Sequence, residues 1–168
     1  MIYEFCAENV TLLEKAMQAG ARRIELCDNL AVGGTTPSYG VTKAAVELAS
    51  NYDTTIMTMI RPRGGDFVYN DLEISIMLED IRLTAQAGSQ GVVFGALTAD
   101  KKLDKANLEK LIAASKGMEI VFHMAFDDLS DEDQLEAIDW LSQTGVTRIL
   151  TRAGVSSDSL EKRFAHYR

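Results

Sequence analysis

Two short runs, Glu4-Phe5-Cys6 and Glu25-Leu26-Cys27, each end an apolar, strand-like segment, and one amphipathic helical stretch and a turn lie between them. A strand, a crossover helix and a second strand make a parallel pair in which like positions come to lie side by side. The only two cysteines of the chain, Cys6 and Cys27, are therefore expected to be neighbours.

The same alternation continues to the end of the chain with no linker-like composition. Strands are expected near 2–6, 23–27, 55–61, 91–95, 119–123 and 148–151, and helices over 10–19, 41–51, 72–87, 105–115 and 131–144, with a last helical segment from Asp158. Gly20, Gly88, Gly117 and Gly145 each follow a helical run, and Asp104 and Ser130 stand where N-caps are needed. Six βα units fit either an open doubly wound sheet or part of a (β/α)₈ barrel of TIM type. Polar residues alternating with apolar ones decide for the barrel. Glu4 and Cys6 share one face of the first strand, and Glu25 and Cys27 one face of the second. A central strand in an open sheet is apolar on both faces, whereas a barrel strand can turn polar groups inward.

The 168 residues suit one domain, and 46% of them are hydrophobic, so the chain can bury a core. A net charge of −8 argues against a nucleic-acid surface. No apolar run approaches the roughly 20 residues of a membrane span, and a strand begins beside Met1 without signal-peptide features. The expected location is the cytoplasm, where paired cysteines stay reduced.

Several groups carry chemistry. Adjacent strands lie about 4.8 Å apart, close to two metal–thiolate bonds of about 2.3 Å, so Cys6 and Cys27 could hold one soft ion. Two sulfurs without an evident third strong ligand suit low-coordinate Cu(I); the competing use is as small buried residues. Glu4 and Glu25 would face inward one layer below the thiols, with Arg61 as their expected cation. They form either a salt-bridge network or an acid/base site. Arg61, Arg63, Gly64, Gly65 and Asp66 lie in one loop, suited to holding a small anion or to making an arginine-anchored turn. The stretch from Gly33 to Ser38 is a second, weaker anion candidate at the same mouth of the barrel. His123 ends strand five facing inward, with Asp127 four residues on, as an acid/base pair or an internally bonded core histidine. Met57 and Met59 alternate on strand three, for packing or thioether ligation.

Glu4 to Cys6, Arg23 to Cys27, Gly33 to Ser38, Ile60 to Phe67, Phe122 to Asp127 and Ile149 to Thr151, taken together, resemble the CutC copper-homeostasis family of (β/α)₈ barrels. The resemblance implies a cytoplasmic protein linked to copper handling, with Cys6 and Cys27 as Cu(I) ligands and with members that self-associate. It also implies two further βα units beyond those seen here, so 1–168 is expected to be a single, C-terminally incomplete barrel domain. The alternative is a barrel enzyme of unassigned activity using Glu4, Glu25, His123 and Asp127 around an anionic substrate held by Arg61 and Arg63. A third reading is a barrel that works mainly through assembly with another protein.

Overall fold

The computed structural model describes residues 2–153; the expected helix from Asp158 lies outside them, as does His166. In chain order the elements are β1 (Glu4–Glu8), α1 (Leu13–Gln18), β2 (Arg23–Cys27), α2 (Tyr39–Ala49), β3 (Thr55–Met59), α3 (Asp71–Ala87), β4 (Gly91–Phe94), α4 (Lys105–Ala114), β5 (Glu119–Phe122), α5 (Asp131–Gln143) and β6 (Arg148–Ile149). The strands form one parallel sheet in the order of the chain. Sequential order with a helix between successive strands is the topology of a TIM-type barrel, here a partial one, because each right-handed crossover places the next strand beside the last.

Helix starts follow local chemistry. Asn70 and Glu73 form a reciprocal capping box at α3, the Ser130 side chain accepts from the Asp133 amide at α5, and Asp104 does the same from Asn107 at α4. Ser38 caps α2 and starts it two residues before the expected 41. The first helix is shorter than expected because Asn9 and Leu12 adopt left-handed backbone conformations, which delay its start to Leu13.

The two faces of the sheet bury different material. Outward side chains pack under the helices: Ile24, Leu26 and Ile56 with Leu13, Met17 and Ala45, and Val92, Phe94, Ile120 and Phe122 with Ile74, Met77, Ile81, Leu108 and Leu111. The inner face forms a separate small cluster of Cys27, Met57, Met59, Val93 and Val121. The alternation expected from the sequence thus sorts residues into an outer apolar layer and an inner, partly polar one.

One expectation about register is corrected. The two Glu-x-Cys motifs do not align with each other: Glu4 pairs with Arg23, Cys6 with Glu25 and Glu8 with Cys27. Barrel-type sheets stagger neighbouring strands along their axes, so β2 sits two residues out of phase with the motif repeat. A shift of two keeps every side chain on its face, so the inner set is preserved while its layers are re-paired.

Candidate metal centre

On the inner face of β1 and β2, one ligand atom from each of Cys6, Glu25 and Cys27 lies within 4.8 Å of the others. Cys27 is fully buried and Glu25 nearly so, whereas Cys6, on the edge strand, is exposed. The Cys27 thiol donates to Glu25 Oε1 over 3.8 Å. The neighbouring Cys27 side chain lowers the pKa of Cys6 below the ordinary thiol value. The same interaction with Cys6, then burial, then the Glu25 charge push the Cys27 thiol well above it. Burial first, and the Glu4 charge second, raise the Glu25 carboxyl to about 7. The three groups therefore influence one another's protons, with the exposed Cys6 the more readily ionised thiol. A cation that replaces those protons gains two sulfur donors and one oxygen donor.

The carboxylate layer differs from expectation. The cation beside Glu4 is Arg23, at 3.0 Å, rather than Arg61. Arg23 is nearly buried and stands across the ladder from Glu4, so the staggered register supplies the counter-charge. Glu119 and Arg148 make a second ion pair on β5 and β6. Glu25 stands level with Cys6, not a layer below it, and so joins the thiols.

Arg61 turns its guanidinium to backbone carbonyls: Nη1 donates to Val32 (2.8 Å) and Gly34 (3.0 Å), and Nη2 to Gly65 (2.7 Å). Its carbon lies 4.8 Å from the centre of the Phe67 ring. Arg63 donates to Glu73 (2.6 Å) and to the carbonyls of Gly64, Asp66 and Val68. Asp66 pairs with Arg63 at 3.1 Å, and its carboxyl is held low by the Val68 amide first and by Arg63 second. The loop closes on its own arginines, joining the Gly33–Gly34 loop to β3.

His123 is buried, with its ring 4.7 Å from Phe67. Its Nδ1 accepts from the Ala125 amide at 3.2 Å, which leaves the proton of the neutral ring on Nε2. Nε2 has no hydrogen-bond partner among the described residues. Burial, and then the Arg61 charge, lower its pKa to about 3. The expected His123–Asp127 pair does not form. A 3₁₀ turn over Met124–Asp128 carries Asp127 to the end of β6, where it accepts from Thr151 Oγ1 (2.5 Å) and the Arg152 amide (2.9 Å). Of the four expected acid/base groups, Glu4 pairs with Arg23, Glu25 accepts from Cys27, and His123 and Asp127 take separate partners.

Parallel strands in chain order, an inner face with two thiols and a carboxylate in ligating reach, and helices over the outer face define a TIM-barrel-type α/β protein with a candidate soft-metal centre. The chain belongs to the CutC family, whose model matches residues 1–164. A CutC protein of Enterococcus faecalis is 53% identical over 166 residues, which are 99% of this chain and 79% of that protein. The solved structure of a Streptococcus agalactiae protein assigned as the copper homeostasis protein CutC superposes with a TM-score of 0.94 at 46% identity, covering 99% of this chain and 79% of that one. A Schiff-base-forming fructose-1,6-bisphosphate aldolase superposes with a TM-score of 0.61 at 15% identity over 93% of this chain and 56% of its own, a likeness of fold alone. Among the described residues no helix is long and apolar enough to cross a membrane.

Proposed function

We propose that this chain serves copper homeostasis by binding Cu(I) between Cys6 and Cys27, in the reducing conditions of the cytoplasm. The observation that carries the reading is the convergence of Cys6, Glu25 and Cys27 ligand atoms within 4.8 Å. Two metal–thiolate bonds of about 2.3 Å span that distance. Thiolates select Cu(I), and a reducing compartment keeps both the thiols and that oxidation state available. The CutC name of the relatives and the copper-homeostasis assignment of the Streptococcus agalactiae protein agree with this reading.

The test is an anaerobic Cu(I) titration against a competing chromophoric chelator. The wild type is expected to take up one tightly bound ion, and the Cys6→Ser, Cys27→Ser double variant none. Equal uptake by both proteins overturns the proposal.

A further inference from the structure

A methionine, Met59, packs with Cys27 on the inner face. Met57 and Met59 both lie in the buried inner cluster with Cys27, yet they occupy different ground. A Cβ built on Gly91 would meet the Met57 methyl at 2.1 Å and its sulfur at 2.7 Å, so Met57 leans across β4, away from β2. A Cβ built on Gly34 would lie 3.0 Å from Cys27 Sγ and 3.6 Å from the Met59 methyl. The Cys27 sulfur and the end of the Met59 side chain therefore both lie against the backbone of Gly34. No side chain at position 34 stands over these two groups, and the Gly34 backbone, at φ +88°, is of a kind that side-chain-bearing residues avoid.

We infer that Met59 is the third ligand of a Cys6–Cys27–Met59 site for a monovalent soft ion, and that the choice between Met59 and Glu25 sets which metal is held. This rests on the thiol pair being a metal site. Charge and softness agree. A monovalent ion on two thiolates already carries one net negative charge, and in a buried place a neutral thioether adds none, whereas the Glu25 carboxylate would add a second. A divalent ion reaches the same single negative charge only with the carboxylate. Thioethers also favour Cu(I), while zinc accepts carboxylate oxygen. The unbranched methionine chain can bring its sulfur to the ion by turning its terminal bonds, without moving the strand.

The experiment uses protein labelled with ¹³C at the methionine methyls, titrated anaerobically with Ag(I) as a redox-silent monovalent probe and, separately, with Zn(II). Loss of reactivity at the exposed Cys6 thiol reports loading of the thiol site. With Ag(I), the Met59 methyl signal, assigned through Met59→Leu, is expected to shift and saturate at one equivalent while Met57 moves little. Met59→Leu is expected to weaken Ag(I) binding on the order of tenfold, the low end for loss of a group that supports a metal, and to leave Zn(II) binding unchanged. Glu25→Gln should do the reverse. Thiols that load with Ag(I) while the Met59 methyl stays still overturn the third-ligand assignment and leave the thiol site standing. Thiols that stay reactive throughout overturn the thiol site, and this inference with it.

Discussion

Cys6 stands directly across the β1–β2 ladder from Glu25, and Cys27 lies two residues farther along β2. Two residues of about 3.3 Å rise each and a strand spacing of about 4.8 Å put their Cα atoms about 8 Å apart, beyond the roughly 4.4–6.8 Å that a disulfide accepts. An ion can bridge these sulfurs where a covalent bond cannot. Treatment with oxidised glutathione under native conditions should therefore give a mixed disulfide on exposed Cys6, leave buried Cys27 free and form no Cys6–Cys27 crosslink. Mass spectrometry of unreduced peptides reads the result; an intramolecular crosslink in the folded protein would contradict this geometry.

Arg61 and Arg63 are two residues apart, but their substitutions should differ in cost. Arg61 is buried and holds three carbonyls in two loops. Lysine cannot reproduce that planar fork, so Arg61→Lys is expected to cost about 3 kcal/mol. Arg63 is partly exposed, and Arg63→Lys should cost about 1 kcal/mol. Urea denaturation midpoints measure both; equal shifts would show that Arg61 is not the anchor.

Gly91 and Gly117 offer a second contrast. A Cβ on Gly91 would come within 2.7 Å of the Glu119 carbonyl oxygen on the neighbouring strand as well as meeting Met57, and a backbone atom cannot step aside. Gly91→Ala is expected to destabilise by about 3 kcal/mol. Gly117 has open space around it and only its φ of +91° to protect, so Gly117→Ala should cost about 1 kcal/mol. Thermal unfolding of the two variants tests the order.

His123 should make stability fall in mild acid. Its folded pKa of about 3 lies below the unfolded value of about 6.5. Between those values the unfolded chain takes up a proton that the folded chain refuses, so this contribution is complete above about pH 6.5 and is lost as pH falls towards 3. Glu25, raised to about 7, has the opposite sign over the upper part of that window, because there the folded chain holds the extra proton. The difference between wild type and His123→Gln isolates the histidine. Denaturation free energies measured from pH 7 to pH 4 should fall more steeply for the wild type, and parallel curves would refute the buried neutral ring.

Much of the architecture is legible in the residues because it depends on short-range rules. The run from Arg23 to Cys27 alternates inward and outward side chains, Asn70 and Glu73 supply both halves of a cap, and the crossover rule sets neighbouring strands parallel. The inward placement of Glu25 and Cys27 follows from the same alternation. The partners of those residues do not. Arg23, read as the start of a strand, is the counter-ion of Glu4 because stagger moves β1 by two residues. Asp127, four residues from His123, turns to β6 because a 3₁₀ turn rotates it away.

Fold class, the order of the elements and the face each side chain takes were determined by the sequence alone, since periodicity and capping act within a few residues along the chain. The meeting of Cys6 with Glu25, the commitment of Arg61 to carbonyls and the approach of Met59 to Cys27 were decided only by the tertiary structure. They depend on how far neighbouring strands slide and on how loops fold over the inner face, and both are set by the packing of the whole sheet rather than by any one segment.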